Sequence, residues 1–147
     1  MTDTIPRTAL ALGLGGLLPF LACAVAIWTG WCLPLVEDPA RAMVAYGAVI
    51  LSFLGGVRWG FALRMGDEGL QARALILSVC PSIAAWLLLL GPTLMALAAL
   101  PMLILLLGLA DLQLTQIGAP LWYGALRRWL TASVVLLLLI GIAGLVT

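Results

Sequence analysis

The few charges of this chain carry most of its chemical information. It has 7 arginines and 6 acidic residues and no lysine or histidine. Arg58 stands in an otherwise apolar or small run, Ser52-Phe53-Leu54-Gly55-Gly56-Val57-Arg58-Trp59-Gly60, and Asp111 closes a second apolar run. A charge at membrane depth is costly enough to mark function or essential structure. Three uses of Arg58 are open: snorkelling to headgroups, pairing with Asp111 or with main-chain carbonyls, and binding a ligand or relaying an ion. A second group, Trp122 and Tyr123 with Arg127 and Arg128, reads either as an interfacial belt or as a shallow pocket where an arginine holds a phosphate or carboxylate. Ser52, Gly56 and Gly60 stand at i, i+4 and i+8, a small-residue stripe along which another helix could approach closely. At 100° per residue Arg58 lies about 200° from Gly56, so this helix is expected to sit between neighbours on two sides.

Catalysis has little to work with. Without histidine the commonest general base and metal ligand is missing. Ser78, Ser82 and Ser133 have no base to activate them, and no paired carboxylates lie at depth. Cys23, Cys32 and Cys80 are odd in number and far apart, which is neither a disulfide framework nor a metal spacing. The expectation is a non-enzyme with no catalytic, cofactor-binding or metal-binding residues. A net charge of +1 provides no basic field to hold nucleic acid.

The elements that position these residues follow from composition. Of 147 residues, 65% are hydrophobic and 9% charged, against roughly 45–50% and about 25% in an ordinary soluble domain. A water-soluble domain is thereby excluded. A bilayer core about 30 Å thick needs about 20 apolar residues in a helix. Five stretches qualify, at about residues 8–30, 42–63, 74–90, 93–110 and 122–146. The predicted fold is all-α, a single polytopic bundle of five transmembrane helices over residues 1–147, with the lipid bilayer as its partner. Asp38-Pro39 reads as an N-cap with a first-turn proline, and Gly91-Pro92 as a tight hairpin. The first stretch is too long for the cleaved apolar region of a signal peptide, about 7–15 residues. Arg7, Arg64, Arg73, Arg127 and Arg128 fall on one side of the bundle and Arg41 on the other, which predicts a cytoplasmic N-terminus and an outward C-terminus.

The block from Tyr46 to Gly60, together with Asp111, Pro120-Leu121-Trp122-Tyr123 and Leu126-Arg127, resembles the transmembrane-protein-69-like (DUF3429) family of bacteria and mitochondria. The resemblance runs from the first helix to the fifth. It implies a small polytopic inner-membrane protein and brings no catalytic residues with it. A chain that enters its first helix almost at once, with no transit peptide, looks like a bacterial inner-membrane member. Two functions are open on this reading. One is a non-enzymatic subunit, assembly factor or scaffold of a larger membrane complex or homo-oligomer. The other is binding or transport of a small ligand such as a lipid, quinone or proton through Arg58 and Asp111.

Overall fold

Local chemistry sets the helix ends. The computed structural model describes residues 4–31, 34 and 36–147. Helices α1 (Arg7–Gly15) and α2 (Leu18–Thr29) together make the first span. They are followed by α3 (Pro39–Ala62), α4 (Glu68–Leu90), α5 (Thr93–Asp111) and α6 (Leu121–Val146). Among the described residues five helices are long and apolar enough to cross a membrane, and no strand is present. The chain is therefore a membrane protein in a lipid bilayer.

Asp38 caps α3 as expected, its carboxylate accepting from Arg41 N at 3.0 Å. Asp67 does the same for α4, accepting from Leu70 N at 2.8 Å. That cap corrects the expected start of the third span at residue 74. Glu68 and Arg73 lie on the helix itself, because an acid in the first turn suits the helix dipole and does not interrupt the backbone ladder.

The expected single first helix is in fact two. Pro19 has no N–H to give and crowds the preceding turn, so the α-helical ladder is interrupted at Gly16-Leu17. Leu17 N reaches Leu14 O at 3.0 Å across the break, and the Tyr46 hydroxyl of α3 donates to Gly16 O at 3.2 Å. Between α5 and α6 the chain makes a 3₁₀ turn, Leu112–Ile117, and reverses at Gly118. There φ is 108°, a conformation that glycine adopts at least cost.

In the bundle α3 packs on α2, α4 and α5, while α6 packs on α5 and α2. The core centres on Phe20, Met43, Leu51, Leu97, Leu100 and Leu138, all almost fully buried. Close approach depends on particular glycines. A Cβ on Gly55 would lie 2.5 Å from the Ser78 carbonyl oxygen of α4, and one on Gly47 would overlap Leu100 of α5.

This overturns the expected stripe of Ser52, Gly56 and Gly60. Gly56 and Gly60 are exposed, with nothing within 4 Å of the place a methyl group would take, and Ser52 is half-buried. The packed face of α3 runs through Gly47, Leu51 and Gly55, about 100° away from Gly56.

Candidate functional site

Asp111 is the last residue of α5 and is wholly buried, at 0% exposure. Each of its carboxylate oxygens has its own arginine. Arg58 Nη1, from α3, donates to Oδ1 at 3.0 Å, and Arg127 Nε, from α6, donates to Oδ2 at 2.9 Å. One carboxylate thus ties three helices together, through charge-assisted bonds that are about twice as strong as neutral ones. The turn after α5 makes this possible. Ala119 N bonds Leu114 O at 2.9 Å, which folds the start of α6 back beside α5 and brings Arg127 to Asp111.

Gly108 and Thr131 bring the helices the rest of the way. They lie one turn from Asp111 and Arg127 respectively, and a Cβ on Gly108 would stand 2.5 Å from Thr131 Oγ1. The absence of a side chain at Gly108 is what lets α6 close on α5.

The cluster is over-supplied with donors. Two guanidinium groups and one carboxylate leave an excess charge of +1. Arg127 is 7% exposed and its Nη2 has no partner. The Tyr123 hydroxyl and Thr131 Oγ1 are likewise buried without a partner. Tyr123, Arg127 and Thr131 stand at i, i+4 and i+8 on α6, so three orphaned polar groups share one helix face. Tyr123 packs near Phe61, with ring centroids 6.2 Å apart.

That face lines a cavity of 330 Å³. Its remaining walls are apolar, from α1, α2, α3 and α5. Phe20 and Ile104 lie at its buried side, and the exposed Leu12 and Phe53 at its rim. Arg58 faces elsewhere: it lines a separate cavity of 350 Å³ between α3, α4 and α5.

The residues picked out from sequence are therefore distributed differently from expectation. Arg58 and Asp111 meet, and snorkelling of an unpartnered Arg58 is set aside by the 3.0 Å bond. The group Trp122, Tyr123, Arg127 and Arg128 does not act as one surface cluster. Tyr123 and Arg127 turn inward, whereas Arg128, about 100° further round the helix, is exposed and Trp122 is half-buried. Arg127 as second partner of Asp111, Gly108 and Thr131 escaped the sequence reading. A usable signal existed for Arg127, which lies six residues into α6, about 9 Å along its axis and below the interfacial belt. Cys23 is buried and Cys80 exposed, both as free thiols, and Cys32 lies outside the described residues. Among the described residues no cluster of metal-ligating side chains occurs.

The chain is 44% identical to Transmembrane protein 69 of Xenopus tropicalis over 137 residues, covering 88% of this chain and 51% of the relative. A shorter match of 59 residues, also 44% identical, links it to Transmembrane protein 69 of Mus musculus, over 40% of this chain and 23% of that one. The chain spans about half the length of the Xenopus relative. No solved structure matches it. The family described as "Protein of unknown function (DUF3429)" matches residues 5–143, and the chain belongs to that family.

Proposed function

We propose that this protein is a non-enzymatic binding protein of an inner membrane, N-terminus cytoplasmic, which holds an anionic group at the Arg58-Asp111-Arg127 cluster. The observation that carries this reading is the unpartnered Nη2 of the buried Arg127 at the wall of a cavity. A buried donor without a partner costs about 1–3 kcal/mol, and more when charged. An anion arriving at this position satisfies the donor and neutralises the excess charge in one step. The Asp111 carboxylate, bonded to both guanidinium groups, holds the arginine in place.

The orientation rests on the arginine distribution across the five spans. The alternative, a subunit or scaffold of a larger complex, has no comparable observation in its favour. Extraction from native membranes in mild detergent separates the two. The binding reading expects the protein alone with an anionic small molecule retained, and loss of that molecule in Arg127→Lys, which keeps the charge but loses the second nitrogen. A stoichiometric protein partner, with no small molecule retained, overturns it.

A further inference from the structure

We infer that the ligand is a single-chain anionic amphiphile, an acid group carrying one long acyl chain, seated in the cavity between α1, α3 and α6. This rests on the proposed anion binding and adds to it the chemistry of the rest of the molecule. The polar side chains of the cavity all lie on α6, and every other wall is apolar. Tyr123 and Arg127 stand in the first two turns of α6, and Leu130, Val134, Phe20 and Ile104 supply apolar wall. An acid group at Arg127 Nη2 would satisfy the charged one of the orphaned donors, with Tyr123 one turn away on the same wall.

The dimensions select the chain. From Tyr123 to Val134 the α6 wall measures about 16 Å by helical rise. One leaflet of hydrocarbon is about 15 Å, half of the roughly 30 Å core. With the acid at Arg127, the wall left for the chain, from Arg127 to Val134, is about 10 Å, so an acyl chain of leaflet length fills the cavity and its far end lies outside it, in the bilayer. The volume of 330 Å³ is at the small end of ligand pockets, about 300–1,000 Å³, and accommodates one chain rather than two.

The cavity can be reached from the bilayer. Leu12 and Phe53 line it yet are 73% and 64% exposed on the outer surface. None of the residues of α1 is buried, and the helix is joined to α2 through the break at Gly16-Leu17. α1 is thus a lightly held wall past which a chain slides in from the side, without its acid crossing the apolar core.

The test is binding to the purified full chain in neutral detergent, read by native mass spectrometry and by the shift in melting temperature. The probes are oleic acid, methyl oleate, butyrate and dioleoylphosphatidylglycerol. Oleate is expected to bind one to one and raise the melting temperature, with methyl oleate at least tenfold weaker for want of charge and butyrate weaker still for want of a chain. Ala9→Trp, which fills the cavity from α1 and leaves the polar seat intact, is expected to weaken oleate at least tenfold. Tyr123→Phe, which keeps the ring, checks the seat and is expected to weaken oleate severalfold without loss of folded protein. Butyrate binding as tightly as oleate, or Ala9→Trp without effect, overturns the single-chain inference and leaves the anion reading standing. Phosphatidylglycerol preferred over oleate also overturns it, by making a two-chain headgroup the source of the anion. Methyl oleate equal to oleate overturns both.

Discussion

Removing Asp111 should damage this protein far more than removing either arginine alone. Asp111 accepts two charge-assisted bonds, at 3.0 and 2.9 Å, in a site with 0% exposure. A hydrogen bond to a charged group contributes about 1.5–3 kcal/mol, and breaking a buried ion pair costs about 3–5 kcal/mol. Asp111→Leu loses both bonds and leaves two guanidinium groups facing each other, so its cost should be about 5 kcal/mol, at the top of that range. Arg58→Leu leaves Asp111 balanced by Arg127 and should cost only about 1.5–3 kcal/mol, toward the lower figure because the Arg58 side chain is 17% exposed.

The combinations separate a three-membered cluster from a simple pair. In a pair, Arg58→Leu with Asp111→Leu would recover much of the loss. Here that double replacement strands Arg127 in a buried site, so little is recovered. Adding Arg127→Leu removes the last charge, and the triple variant should be more stable than the double by about 3 kcal/mol. Reversible unfolding by SDS in mixed micelles measures each species, and the coupling follows from the mutant cycles. A double variant as stable as the triple, or Arg58→Leu as harmful as Asp111→Leu, would refute the reasoning.

Three further outcomes are expected. Gly55→Ala, which forces a methyl against the Ser78 carbonyl, should lose about 1–3 kcal/mol in the same unfolding assay, while Gly56→Ala stays within about 0.5 kcal/mol; equal effects would contradict the packing of α3 on α4. Gly108→Ala should part α5 from α6 and loosen the Arg127-Asp111 bond, seen as a loss of stability that Thr131→Ala partly rescues by making room; no rescue would place the strain elsewhere. Reporters fused before Met1 and after Thr147 should report opposite compartments, the N-terminal one cytoplasmic, because the number of spans is odd; the same compartment for both would rule out five crossings.

Much of the architecture was legible in the residues themselves. The bilayer demands a minimum apolar length and internal satisfaction of every backbone group, so five spans can be read by length alone, and Asp38-Pro39 and Gly91-Pro92 mark their ends. The expense of charge at depth likewise picks out Arg58 and Asp111, which meet at 3.0 Å. The rotation of each helix about its axis was not legible. In a soluble protein the polar face of a helix reveals its buried face, but here lipid and core are equally apolar, and α5 carries hydrophobic side chains on every side. Sequence spacing could not say whether Gly55 or Gly56 meets a neighbour, nor that Arg127 turns inward while Arg128 turns out. Only helix packing decided those directions, through the reversal at Gly118 and the close approaches at Gly55 and Gly108, and so only the tertiary structure converted a pair of charges into a cluster with a donor to spare.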